Sequence, residues 1–512
     1  MWVVTGDEMR AIEQRAEREY GLSSPVLMEH AGQSVAERLR ARLGGSVVGR
    51  ETLVVLGPGN NGGDGRVMGR HLTEWGAHVT AYAWRERRIE VDNRYIPVND
   101  DLAAVREAIT RADVVVDALL GTGHSRPLDP TMARLLGYVA EEKGRRPSLL
   151  VLALDLPSGL NADTGAVDQG TIHADLTVTL AFPKIGLLLF PGADYVGDLE
   201  VGGIGLPDEM PIQSEMRQIT AASLRPLLPV RALDSNKGTF GKVMIAAGSP
   251  RYPGSAFLVA SAAARIGAGL VTIATTPELV PVYTTMLPEA TYHPLPSLDA
   301  APEERARALL DGLPGYRALV VGPGLGQDNE TRAYLEHVFA GLLALPGDER
   351  PRLLVDADGL NNLAHMEDWP AKLPPLTVIT PHPGEMGRLL GGQKVSGGGS
   401  DRIEVTRRAA RDWGLVVVLK GACTLIAAPG GPLHVNWPPN PALATAGSGD
   451  VLSGVVGGLL AQGMEPLEAA SAAVYLHSRA GLLVSERSGD AGLLAGDLLP
   501  ELPVALKQVK NV

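Results

Sequence analysis

Twice in this chain, about 390 residues apart, a glycine-rich loop beside strand-like sequence opens a helix-like stretch. The two are Gly57-Pro58-Gly59-Asn60-Asn61-Gly62-Gly63-Asp64-Gly65 and Thr445-Ala446-Gly447-Ser448-Gly449-Asp450. A helix N-terminus leaves backbone N–H groups unpaired, and glycines let the approach turn tightly enough to aim those groups at an anion. Two such turns imply two sites. The surrounding pattern repeats the message. Runs at 52–56, 78–83, 114–116, 149–154 and 176–180 read as buried strands, and 65–75, 102–111 and 131–143 as helices, after helices at 7–20 and 24–43, the latter with Pro25 in its first turn. Strands alternating with helices predict a mostly parallel sheet covered on both faces, with its ligand at the carboxyl ends of the strands.

Around residues 206–235 the alternation stops, leaving Pro207, Pro211, Pro226 and Pro229 amid polar residues, and a domain boundary is expected there. It resumes with strands at 243–247, 270–274, 318–321, 353–355, 377–379 and 415–419, which predicts a second α/β domain of about 290 residues, near the upper end for one domain. Residues 391–400, rich in Gly and Ser, read as a mobile loop. A net charge of −12 argues against nucleic acid as a partner. Cys423, the only cysteine, excludes an internal disulfide framework and suits a reducing, cytoplasmic setting. Neither a signal-peptide pattern nor an apolar run long enough to span a bilayer is evident, so no membrane partner is expected.

In the first half three consecutive loops bring acids or amides to one sheet edge: the glycine loop, Asp117 leading into Gly121-Thr122-Gly123, and Asp155 leading into Pro157-Ser158-Gly159-Leu160-Asn161. Asp117 and Asp155 are also readable as caps of the turns that follow them. Together with Phe182-Pro183-Lys184, these segments resemble the NAD(P)H-hydrate epimerase family over residues 1–215. The resemblance implies a Rossmann-like, three-layer α/β/α domain that interconverts the R and S hydrates of NADH or NADPH, with a potassium ion held by Asn61, Asp117 and Ser158. It further implies that the hydrate touches Asn60, Asn61, Gly62, Gly63, Asp64, Gly121, Thr122, Gly123, His124, Ser125, Arg126, Pro127 and Asp155. Asp155 is the acid/base candidate, because a carboxylate beside the hydrated ring can relay a proton as the C6–OH centre opens and recloses. Lys184 is readable as a surface lysine and is given no role.

In the second half, Gly447, Ser448 and Gly449 can turn their N–H groups toward a phosphoryl while Asp450 accepts the proton of an attacking hydroxyl. Gly-Ser-Gly-Asp is equally the sequence of an ordinary helix cap. With Lys420-Gly421-Ala422-Cys423-Thr424, Pro381-His382-Pro383-Gly384-Glu385, Gly322-Pro323-Gly324-Leu325-Gly326 and the segment from Asn236 to Lys242, it resembles the ADP- or ATP-dependent NAD(P)H-hydrate dehydratase family over residues 225–505; the domain is taken as 225–512. The resemblance implies a ribokinase-like fold and phosphorylation of the ring hydroxyl followed by loss of phosphate. Asp450 would be the base, Lys420, Gly421, Ala422, Cys423, Thr424 and Gly449 would meet the nucleotide, and Ser255, Gly324, His382 and Asp450 the hydrate, with Mg²⁺ accompanying the phosphates. His382, between two prolines, is also readable as a rigid-turn residue, and Cys423 as a small packed one. Three positions depart from the family pattern: Asn236 replaces a His, Ser255 an Ala, and Ala446-Gly447-Ser448-Gly449 a Gly-Gly-Thr-Gly.

The expectation is a bifunctional repair enzyme, with homo-oligomerisation implied by the resemblance alone. The competing reading is a ribokinase-like kinase of a vitamin precursor or sugar joined to a non-catalytic binding module. The sequence decides neither ADP against ATP nor NADH against NADPH hydrate.

Overall fold

The computed structural model describes residues 1–84, 102–123, 126–396 and 398–511. The chain packs as two compact units, one built on Trp2–Ser214 and the other on the chain from Glu215 onward.

After a two-residue strand, β1 (Trp2–Val3), the first unit contains β2 (Glu51–Leu56), β3 (His78–Ala83), β4 (Val114–Ala118), β5 (Leu150–Leu154), β6 (Leu176–Leu180) and β7 (Asp198–Gly202). The last six form one sheet in the order β3-β2-β4-β5-β6-β7, with every neighbouring pair parallel. Alternate residues of one strand serve opposite faces. Val54 and Leu56 join the core beneath helices Gly6–Tyr20, Ser24–Arg42 and Asn60–Glu74, whereas Leu53 and Val55 join the core beneath helices Ala103–Arg111 and Pro130–Arg145. That is the expected three-layer, Rossmann-like arrangement. Strand order reverses between β2 and β4, so the crevice of this sheet opens between the loops that follow those two strands.

The helix expected at 65–75 begins earlier, at Asn60, so the glycine motif is itself the first turn. A Cβ on Gly62 would lie 1.9 Å from the carbonyl oxygen of Gly57. The glycine is therefore required by close approach of helix and loop. Gly62→Ala should destabilise the first unit by about 3 kcal/mol or more, since neither backbone can yield cheaply; a urea-unfolding midpoint equal to wild type would refute this packing.

The second unit contains β8 (Met216–Gln218), β9 (Lys242–Ala246), β10 (Leu270–Thr275), β11 (Thr291–Pro294), β12 (Ala318–Val321), β13 (Arg352–Val355), β14 (Val378–Ile379), β15 (Val416–Leu419), β16 (Leu425–Ala427) and β17 (Leu433–Val435). Within this unit the order is β8-β17-β16-β15-β14-β13-β12-β9-β10-β11. The chain runs outward from β9 through β10 to β11, returns beside β9 as β12, and steps through β13 and β14 to β15, all in parallel. β16 and β17 add antiparallel. The strand β8 and the short helix Ala221–Leu224 occupy the stretch expected to be an irregular boundary. β7, β11, β16 and β17 also lie outside the predicted strands: β7 and β11 are only half-buried, and β16 and β17, like β8, have three residues each. Residues 391–400 form no helix or strand where described; Gly397, part of that expected loop, lies outside the described residues.

Helix Ser448–Ala461, buried from Val451 to Ala461, crosses this sheet against helix Pro253–Arg265. Its glycines permit the approach: a Cβ on Gly454 would come within 2.2 Å of the Val259 carbonyl oxygen. This buried axle fixes the position of the Ser448–Asp450 tip. Among the described residues no helix is long and apolar enough to cross a membrane.

Candidate active sites

In the first unit, Asp117 ends β4 with no solvent exposure. Its Oδ1 accepts hydrogen bonds from the Ser158 hydroxyl at 2.6 Å and the Leu119 N–H at 3.2 Å, and its Oδ2 accepts from the Ser158 N–H at 2.8 Å. Burial nevertheless raises its pKa, because neutral donors only partly replace water around a charge. Asn61 donates its amide to the Leu120 carbonyl at 2.9 Å, while its Oδ1 is buried and has no partner. The Ser158 hydroxyl also accepts from the Leu120 N–H at 3.0 Å. These are the three residues expected to hold potassium. A carboxylate lacking a cation, an orphaned amide oxygen and a hydroxyl oxygen make a hard-oxygen donor set that fits that ion.

Beside them is a cavity of about 340 Å³ lined by Asn60, Asn61, Asp64, Gly121, Thr122, Gly123 and Asp155, together with Arg10, Glu13 and Lys184. Gly62 and Gly63 serve helix packing, Gly63 against Met28. Arg126 and Pro127 are exposed and do not line the cavity, and His124 and Ser125 lie outside the described residues.

Asp155 follows β5 with φ +67°, a left-handed conformation unusual for aspartate. Its Oδ1 accepts from the Lys184 ammonium at 2.5 Å and the Leu180 N–H at 3.1 Å. Lys184 is 1% exposed, which corrects the surface reading: its stem is buried and its ammonium also reaches the Leu180 carbonyl at 2.9 Å. Its place just after β6 was the available signal. Asp64, in the first turn of its helix, is pushed up to about 8 by burial, then by the charges of Asp155 and Glu13, against a smaller opposing effect of Lys184. Glu13 is raised too, mainly by burial. A capping box between Thr5 and Glu8 starts the helix that aims Glu13 and Arg10 at the cavity.

An acid whose folded-state pKa stands above its unfolded value weakens the fold as it ionises. The folded chain keeps a proton that the unfolded chain releases between pH ~4 and ~8, so stability falls across that window. Asp64→Asn should therefore raise the unfolding temperature of the first unit by roughly 3 °C or more at pH 8, with the gap closing near pH 4. A gap independent of pH, followed by calorimetry, would refute the assignment.

In the second unit, Asp450 enters the first turn of helix Ser448–Ala461, whose N-cap Gly447 has φ +86° and supplies no capping side chain. The Ser448 hydroxyl donates to the carbonyls of Leu443 at 2.9 Å and Thr445 at 3.0 Å, so it stabilises the loop and does not cap the helix. Asp450 is raised to about 6 by burial; a hydrogen bond from Ser255 lowers it, the charges of Asp356 and Asp358 raise it, and Lys420 lowers it. A Cβ on Gly324 would sit 2.7 Å from the Ser255 hydroxyl and 2.9 Å from Tyr252 Cβ. Thus Ser255 and Gly324 come together, and the departure from Ala at 255 puts a hydroxyl near enough to Asp450 to lower its pKa.

Lys420 ends β15 and directs its ammonium inward, 2.8 Å from Asp356 Oδ1 and 3.7 Å from Glu385 Oε2. Asp356 Oδ2 also accepts from the Ser453 hydroxyl at 2.6 Å. Burial alone would raise Asp356, but the Lys420 charge and these hydrogen bonds hold it below its usual range. Glu385 is raised to about 7, mainly by burial. Neither acid was foreseen. Asp356 follows β13 just as Asp155 follows β5, and that signal would have found it. Gly449 adjoins this pair: its Cβ position lies 3.6 Å from the Lys420 ammonium.

His382 is the N-cap of helix Pro383–Leu389. Its Nδ1 accepts from the Gly384 N–H at 3.0 Å, and Glu385 returns a bond to the His382 N–H at 2.8 Å. The rigid-turn reading is therefore correct for Nδ1, while Nε2 belongs to a half-exposed ring. Gly421 and Ala422 are exposed, and Cys423 is packed, its thiol pushed up to about 12 mainly by burial. Buried Arg402, also unforeseen, ties this loop down by donating to the carbonyls of Cys423 at 3.0 Å, Lys420 at 3.1 Å and Leu419 at 3.2 Å.

Family comparison agrees with this two-site architecture. Residues 24–186 match the family model described as "YjeF-related protein N-terminus" and residues 243–504 the model described as "NAD(P)H-hydrate dehydratase". Curated proteins named bifunctional NAD(P)H-hydrate repair enzyme Nnr align along the whole chain. The one from Moorella thermoacetica is 38% identical over 100% of this chain and 98% of its own length, and the one from Escherichia coli 34% identical over 97% and 92%. Among solved structures, the ADP/ATP-dependent NAD(P)H-hydrate dehydratase of Bacillus subtilis, co-crystallised with ATP/Mg²⁺, is 32% identical and covers 57% of this chain and 97% of its own, with a TM-score of 0.48. These relatives do not favour the kinase reading. The chain belongs to the family of bifunctional NAD(P)H-hydrate repair enzymes.

Proposed function

We propose that the first unit epimerises NAD(P)H hydrates and the second dehydrates the S form with ADP or ATP, each at the site described above. The observation that carries this division is that each unit places, at the carboxyl ends of its own sheet, a buried Lys–Asp pair beside a further acid with a raised pKa.

In the first cavity the two carboxyl groups suit opposite duties. Asp64, protonated near neutral pH, gives its proton to the C6 hydroxyl as the C–O bond breaks and the N1 lone pair forms the iminium. Water adds to the other face and passes its proton to Asp155. One hydroxyl leaves and one arrives, so the chemistry is redox-neutral. Potassium, when bound by Asn61, Asp117 and Ser158, supplies a positive charge beside the hydrate. Asp117→Ala should abolish the dependence of epimer exchange on potassium; equal wild-type rates in potassium and in a large organic cation at constant ionic strength would remove the ion from this account.

In the second site Asp450 takes the proton of the C6 hydroxyl, whose oxygen attacks the terminal phosphorus of the nucleotide as the bond to the bridging oxygen breaks and AMP or ADP leaves; Mg²⁺ would accompany the phosphates and offset their charge. The C6–O bond then breaks, phosphate leaves and the C5 proton passes to water, restoring the dihydropyridine. The nucleotide lies against Lys420–Thr424 and Gly449, and the hydrate against Ser255, Gly324 and His382. We assign the chain to the cytoplasm as a homo-oligomer, on family resemblance.

Asp450→Asn should lower dehydration by on the order of 10²-fold or more while epimerisation persists, and retention of more than about a tenth of wild-type turnover would exclude Asp450 as base. A base must be deprotonated to act, so dehydration should rise with pH through about 6. Ser255→Ala, which removes a donor to the charged form, should move that limb upward by roughly half to one pH unit. A limb unmoved in Ser255→Ala would separate Ser255 from the acid.

A further inference from the structure

Beyond Asp450 a cavity of about 740 Å³ lies outside the carboxyl ends of β9 and β12, lined by Ser249, Arg251 and Tyr252 after β9 and by Leu325 and Gln327 after β12. This is the point where strand order reverses in the second sheet, the place at which open α/β sheets bind ligands. The cavity lies near the proposed base, Asp450. Tyr252 packs against Gly324 and Gly324 against Ser255, whose hydroxyl is near enough to Asp450 to lower its pKa. The Lys420–Thr424 loop follows β15, on the other side of β12 with β13 and β14 between, so the two faces of Asp450 are available to different molecules.

Arg305, on helix Pro302–Asp311, forms one wall and is only 9% exposed. Its guanidinium carbon lies 5.0 Å from the Tyr334 ring centroid and its charge helps to lower the pKa of Asp328, yet its buried Nε has no hydrogen-bond partner. The carboxylates of the cavity are engaged elsewhere. Asp328 accepts from the Thr331 N–H at 2.7 Å, and Asp358 from the Gly326 N–H at 2.9 Å and Gln327 Nε2 at 2.7 Å, while Glu330 is exposed. A mostly buried guanidinium with no hydrogen-bonded carboxylate gains from an anion, and its forked donors match a phosphate bidentately.

We propose that this cavity receives the diphosphate-bearing remainder of the NAD(P)H hydrate and that Arg305 binds its phosphate, which rests on the reading that Asp450 acts on that hydrate's ring. The volume suits such a group. Adenine nucleotide is the other phosphate source, and the kinetics distinguish the two. In the full chain, Arg305→Met should raise the KM for the S hydrate tenfold or more while changing kcat and the KM for ATP by less than about twofold. Arg305→Lys, which keeps the charge and loses the fork, should fall between and serves where the Met variant does not fold. A rise in the KM for ATP instead, or an unchanged hydrate KM in either folded variant, overturns the proposal. Failure of the wild-type chain itself to restore reduced-nicotinamide absorbance would instead refute the reading of the Asp450 site.

Discussion

Carboxylates withdrawn from water at the ends of parallel strands are the constraint on which both sites depend. A buried acid remains charged only if a cation or several donors replace its hydration, and otherwise it takes up a proton. Each unit uses both outcomes. Lys184 and Lys420 neutralise Asp155 and Asp356, while Asp64 and Asp450, close enough to be influenced by those same charges, are left with raised pKa values. A lysine buried to 1% exposure would be a liability in a passive core; here its ammonium is paired with Asp155, beside an acid whose pKa burial raises.

Backbone architecture brings these groups together without long loops. Parallel strands buried on both faces deliver their carboxyl ends to one edge, and glycines let helices approach closely enough to aim their first turns there. Gly62 against Gly57 and Gly454 against Val259 play the same part in the two units. Fold stability and site geometry are thus coupled: the glycines that allow tight packing also position Asp64 and Asp450.

The strands of both sheet centres were legible because a doubly covered parallel strand must be an apolar run. Edge strands such as β8 and β11 were not, because a few half-exposed residues carry no period. Asp117, Asp155 and Asp450 were legible from their places after strands or in a glycine turn. Asp356 obeyed the same rule and was passed over for lack of a glycine motif beside it. Lys184, Arg402 and Arg305 could not be found by type, since a sequence does not show that a long cationic side chain is folded inward. His382 fits the rigid-turn reading: one ring nitrogen caps a helix, while the other lies 3.5 Å from Glu385 Oε1.

The withdrawal of these acids from water is tested most directly by carbon-13 NMR titration of the aspartate carboxyl groups, with Asp64→Asn and Asp450→Asn used to assign the two resonances. The account predicts midpoints near 8 for Asp64 and near 6 for Asp450. Midpoints for both in the ordinary aspartate range, about 3.5 to 4, would contradict it.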